Sequence, residues 1–197
     1  MSHRPTAAGN SSYDLIDTDL FWKSLSVEPG MTVLDLACGA GRYTLPLAEK
    51  VGASGRLIAI DSWAEGIEQL RTNARSADLR HIETHVADAG EALPIESGTV
   101  DLCLLATVLH DFAADGIDRA ALKEVSRALA PSGILSVVEF NKQDGPPGPP
   151  KAVRLSLEQV TMRLLPLGLI RFGGVVELGR HAYFCQFRRL PRAGLAK

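Results

Sequence analysis

Cysteine, aromatic residues and unbalanced charge are all scarce in this chain of 197 residues, and each scarcity closes off a class of protein. Its three cysteines, Cys38, Cys103 and Cys185, lie far apart and form no C-x-x-C pair. That spacing suggests neither a zinc site nor a disulfide framework, no metal is expected, and a reducing cytoplasm fits best. Lysine and arginine number 21 against 23 acids, for a net charge of −2. There is thus no long-range attraction toward phosphate backbones or anionic membranes. The one basic cluster, Arg188, Arg189, Arg192 and Lys197, is a short terminal run that reads as a solvated tail. No apolar stretch approaches the roughly 20 residues needed to span a bilayer, and Met1 to Asn10 has no apolar core of a signal peptide. The expectation is a single cytoplasmic domain over residues 1–197, with no nucleic-acid or membrane partner.

What the chain does have is apolar periodicity that alternates between two repeats. Met31 to Leu36, Arg56 to Ile60, His81 to Val86, Thr99 to Leu105 and Ile134 to Glu139 read as buried strands. Arg42 to Val51, Ala64 to Ala77 and Asp115 to Leu129 carry apolar residues at helical spacing, the last stopped by Ala130-Pro131-Ser132-Gly133. Five strands with helices between them predict a doubly wound parallel α/β sheet. Gly145-Pro146-Pro147-Gly148-Pro149-Pro150 cannot continue helix or central strand and reads as a stiff loop over the pocket mouth. Ser156 and Gln159 form a capping-box pattern opening a helix that Pro166 and Gly168 end. Leu169 to Glu177 and His181 to Arg188, joined by three residues, must pair antiparallel. The whole is a mostly parallel, seven-stranded, Rossmann-like sheet closed by a C-terminal β-hairpin, with a core over 31–189. Residues 1–28 precede it, and a helix over Asp17 to Leu25 either covers the sheet or lids a ligand.

The most informative run is Asp35-Leu36-Ala37-Cys38-Gly39-Ala40-Gly41, an apolar strand carrying an acid into a glycine turn and then a helix. Such turns form nucleotide pockets, because glycine lets the backbone approach the ligand and the helix N-terminus offers free N–H groups. A dinucleotide fingerprint wants a third small residue where Thr44 stands, and Asp35 would repel a pyrophosphate. The same acid suits a cationic ligand. At this point the chain resembles the class I S-adenosylmethionine-dependent methyltransferases over about Thr32 to Arg188. An NAD(P)-dependent reductase is the weaker alternative.

The resemblance implies S-adenosylmethionine as cofactor and assigns its contacts. Asp35, Ala37, Cys38, Gly39 and Gly41 would hold the methionine portion, with Ala106 beside it. Asp61 would accept from both ribose hydroxyls, Ser62 and Trp63 would lie near adenine, and Asp88 and Ala89 would meet the adenine edge. His110, in Ala106-Thr107-Val108-Leu109-His110-Asp111-Phe112, is the candidate general base, or it shapes the pocket. Asp111 either orients His110 or caps a helix. No Asn/Asp-Pro-Pro-aromatic run, no Pro-Cys pair and no carboxylate set for magnesium stands there. Leu122-Lys123-Glu124-Val125-Ser126-Arg127-Ala128-Leu129-Ala130-Pro131-Ser132-Gly133-Ile134-Leu135 is similar to the ubiquinone/menaquinone methyltransferase branch. The expected activity is methyl transfer to a small-molecule acceptor; the alternative is a non-catalytic S-adenosylmethionine- or S-adenosylhomocysteine-binding protein.

Overall fold

A computed structural model describes residues 8–189, so Arg192 and Lys197 of the terminal basic cluster lie outside the described residues. Strands β1 (Thr32–Leu36), β2 (Arg56–Asp61), β3 (Ile82–Val86), β4 (Val100–Ala106), β5 (Leu129–Phe140), β6 (Leu169–Glu177) and β7 (Ala182–Arg189) form one sheet. Their order is β3-β2-β1-β4-β5-β7-β6, parallel through β5 and antiparallel across β5, β7 and β6. The Rossmann-like sheet with its terminal hairpin is thus the architecture that the periodicity predicts.

Both faces of the central strands are apolar, which is why those strands read as continuous hydrophobic runs. In β4, Cys103 and Leu105 pack on one face with Leu122 and Val125 of helix α5 (Asp118–Ala128). Leu102 and Leu104 pack on the other with Leu47 of α2 (Thr44–Val51) and Phe21 of α1 (Thr18–Ser24). Helix α1 therefore covers the sheet. The segment ahead of it reaches the pocket.

Three details depart from the expected pattern. The four intervening helices are α2, α3 (Ala64–Ser76), α4 (Leu109–Ala114) and α5, with none between β3 and β4 and two between β4 and β5. The helix expected over Asp115 to Leu129 starts later, because Gly116, at φ 75°, ends α4 in the left-handed conformation that glycine adopts without strain. Ala130 to Gly133 stops α5 as expected but is part of β5 rather than a turn before it. The register with β4 shifts there, and a Cβ at Gly133 would lie 2.7 Å from the Val100 carbonyl, so the strand bulges at its only tolerant residue. The Ser156–Gln159 capping box forms with both reciprocal bonds and opens α6 (Leu157–Leu164).

Candidate active site

A pocket of about 840 Å³ opens at the carboxyl ends of the parallel strands. It sits where β1 has β2 on one side and β4 on the other, the switch point at which loops diverge and ligands bind in open α/β sheets. Two residues with side chains adopt left-handed backbone at its floor, Ala37 after β1 (φ 63°) and Thr107 after β4 (φ 53°). Such a conformation costs a non-glycine residue roughly 1–2 kcal/mol, and hydrogen bonds hold it in place. The Ala37 and Cys38 N–H groups donate to the Ile60 carbonyl at 2.7 and 3.1 Å, and Thr107 N–H to Val138 at 2.7 Å. The chain is turned away from each strand and fastened to its neighbour.

Asp61, at the end of β2, organises the glycine turn. Its Oδ2 accepts the Gly39 N–H and its Oδ1 the Trp63 N–H, each at 2.7 Å. A carboxylate offers about four acceptor positions; the Gly39, Trp63 and Ser62 backbone N–H groups all hydrogen-bond to this one, so only part of its acceptor capacity stays open. Burial raises the Asp61 pKa, against the backbone hydrogen bonds that favour the charge. The Trp63 ring is held over Gly66, where a Cβ would come within 2.3 Å of it.

Asp35 is buried in β1 and takes a 2.6 Å hydrogen bond from the Thr44 hydroxyl. Burial pushes its carboxyl up to about 7, the Thr44 bond opposes this, and the charge of Asp61 adds to it. Near neutral pH it is therefore poised between charged and neutral. Burial also raises the Cys38 thiol well above its ordinary range, so it is an inert wall rather than a nucleophile.

Of the residues expected to hold a cofactor, Asp35, Ala37, Cys38, Gly39, Asp61, Ser62, Trp63, Asp88, Ala89 and Ala106 all line this one pocket. Asp88 is exposed, and its Oδ1 accepts the Gly90 N–H at 2.8 Å. Gly41 stands behind the wall: a Cβ there would lie 2.4 Å from Leu70 Cδ1, so its bareness lets α3 pack close. His110 is also set back. Its ring is buried and is not among the described lining residues, whereas Val108, Asp111 and Phe112 are.

Glu139 explains where His110 points. This fully buried carboxylate, at the end of β5, accepts His110 Nδ1 at 2.7 Å and the His110 backbone N–H at 3.1 Å. Nε2 lies 3.4 Å from Asp111 Oδ1. Burial alone would lower the imidazole pKa, but the Glu139 hydrogen bond and charge outweigh it and leave it raised. Sequence reasoning overlooked Glu139, although it carried the signal of Asp35 and Asp61, an acid closing an apolar strand. A second group it overlooked is the hydroxyl chain of Tyr43, Ser12 and Thr107, at 2.8 and 2.9 Å, which ties the segment lining the pocket through Ala8 to Ser11 onto the floor. Among the described residues no group of three or more His, Cys, Asp or Glu comes together as a metal site.

A model of the methyltransferase domain matches residues 27–165. A protein of a Streptomyces fradiae transposon is 38% identical over 116 residues, 59% of this chain and 32% of that protein. The ubiquinone/menaquinone biosynthesis C-methyltransferase UbiE of Shewanella baltica is 33% identical over 127 residues, 62% of this chain and 49% of its own length. The match thus spans about half, or less, of these curated relatives. Among solved structures, a SAM-dependent methyltransferase from Aquifex aeolicus superposes with a TM-score of 0.80 at 27% identity, covering 89% of this chain and 91% of that one.

Proposed function

The chain belongs to the methyltransferase domain family, and on that premise we propose that it transfers a methyl group from S-adenosylmethionine to a small-molecule acceptor. The observation that carries the reading is Asp61. It is a carboxylate at the pocket wall, fixed by the Gly39, Trp63 and Ser62 backbone N–H groups and keeping acceptor capacity for a ribose hydroxyl. The glycine turn fits the same ligand, since the Cβ position of Gly39 meets nothing within 4 Å and leaves open space at the wall. No phosphate-holding cation faces that turn: Arg42, the one cation among the described lining residues, pairs with Asp14. Asp35 suits an ammonium, whose approach favours its ionised form.

When bound, the cofactor supplies an electrophilic methyl carbon on a sulfonium. The protein's own part is then alignment and exclusion of water. Asp61 and Gly39 orient, and Trp63, Ala89 and the Ala8 to Ser11 segment supply wall. The His110–Glu139 pair sets the position of α4 from behind, and Asp111 is the α4 carboxylate that faces the acceptor space. We place the protein in the cytoplasm, in keeping with its three free cysteines.

Calorimetry with S-adenosylhomocysteine tests the cofactor assignment. The wild type should bind, and Asp61→Ala should lose at least ~1.5 kcal/mol, the scale of a hydrogen bond to a charged acceptor. Unchanged affinity in that variant removes the ribose role. A labelled-methyl screen over phenols, quinols, amines and thiols then separates an enzyme from a non-catalytic binder, which would yield no product from any class.

A further inference from the structure

The Gly145 to Pro150 segment has too little regular hydrogen bonding to hold itself, yet it forms a pocket wall through Pro149 and Pro150. The cause is Arg154. Its side chain is almost wholly buried and makes no ion pair among the described residues. Instead Nε donates to the Pro149 carbonyl (2.8 Å), Nη1 to Asn141 (3.0 Å), and Nη2 to Gly145 (2.6 Å) and Pro147 (2.8 Å). Four carbonyls thus converge on one planar fork of donors, a geometry that lysine cannot reproduce. The guanidinium also lies 5.6 Å from the centre of the Phe140 ring, and Gly148, at φ 88°, presses on that same ring where a Cβ would sit 3.0 Å away.

Sheet order says which part of the pocket this wall serves. Asp61 leaves β2 and Asn141 follows β5, three strand spacings apart, or about 14 Å at the usual 4.8 Å per strand. The acids assigned to nucleoside binding hang from the β2 and β3 side. Pro149, Pro150 and Val153 hang from the β5 side and line the same pocket as Val108 and Phe112, where Arg42, beyond the β1 turn, is the one lysine or arginine among the described lining residues.

Resting on the methyl-transfer reading above, we propose that Arg154 is a positioning residue that folds the Gly145 to Pro150 segment into the acceptor wall, and that this wall takes an uncharged, largely apolar acceptor. An anionic acceptor would meet the Asp111 and Asp115 carboxylates with no cationic side chain lining this side among the described residues, the Arg154 guanidinium being turned away from the pocket onto its four carbonyls.

The test uses the full chain. Hydrogen exchange over residues 144–153 is followed without ligand, and binding of 4-tert-butylphenol and 4-tert-butylbenzoate is measured on protein saturated with S-adenosylhomocysteine. The wild type should bind the phenol at least tenfold more tightly than the benzoate. Arg154→Lys should speed exchange in the segment at least tenfold, weaken phenol binding at least tenfold, and leave S-adenosylhomocysteine affinity within twofold. Val153→Asp, which alters the wall without touching the fork, should weaken the phenol with the same split and serves if Arg154→Lys does not fold. The proposal is overturned by unchanged exchange or unchanged phenol binding in Arg154→Lys. Equal loss of both ligands, unaltered phenol binding in Val153→Asp, or a wild type that ignores the phenol or prefers the benzoate overturns it too. A wild type that fails to bind S-adenosylhomocysteine sinks the methyl-transfer reading instead, and the exchange measurement still judges Arg154.

Discussion

Thr44 donates its hydroxyl hydrogen to Asp35 across 2.6 Å, so the residue that departs from a dinucleotide fingerprint is the one that holds the pocket's buried acid. The pair couples ligand binding to pH. Burial raises the Asp35 pKa to about 7, and a cationic amino group favours the ionised form. S-adenosylhomocysteine binding should therefore release up to one proton near neutrality, with affinity rising by up to tenfold per pH unit below about 7 and levelling off above it. Calorimetry in two buffers of different ionisation enthalpy measures the proton. Thr44→Val should move the midpoint upward, since the removed bond favoured the charge.

The same shift sets a stability trend of opposite slope. An acid whose folded pKa lies above its unfolded value binds more protons when folded, so stability falls as pH rises from about 4 to about 7 and then flattens. Asp35→Asn should abolish most of that dependence in ligand-free urea titrations.

Gly39 and Gly41 should answer alanine differently. At Gly41 the added Cβ meets Leu70 at 2.4 Å with φ 87°, and overpacking plus left-handed strain predicts a loss of about 2–4 kcal/mol of stability. At Gly39 the space is open, so Gly39→Ala should cost only about 1–2 kcal/mol of strain while placing a methyl group in the ligand's volume. Thermal melts and S-adenosylhomocysteine titrations on the two variants separate these effects.

Glu139→Gln tests the buried pair. The His110 pKa is raised in the fold, so the pair's contribution is fully present below the unfolded value near 6.5 and lost as pH rises through the folded one. The variant should lose about 1.5–3 kcal/mol at pH 5.5 and less at pH 8.5. Its His110 resonances should titrate below 6.5, because burial then acts with less opposition.

Much of this was legible in the chain itself, for identifiable reasons. Val100 to Ala106 is buried on both faces, and a strand with no polar side cannot hide its nature. Asp35 and Asp61 close apolar strands, where an acid faces the crevice. His110 was harder to read: its partner Glu139 is 29 positions away, and only the adjacency of β4 and β5 brings the two together. Helix α4 was missed because six residues are too few for a helical period to declare itself. Gly39 and Gly41 look alike in sequence, and only the position of Leu70 separates a residue facing the pocket from one facing the core.

The fork of Arg154 grips four backbone carbonyls and no side chain. Every amino acid supplies a carbonyl, so apart from Gly145 and Gly148, whose backbone is left-handed, the fork's grip does not depend on the side chains of the loop. Side chains at positions 149, 150 and 153 line the pocket without contributing a side-chain atom to the fork, so replacing them alters the wall and leaves the four gripped carbonyls in place. For an engineer, the same separation makes those three positions a library site with the fold held constant.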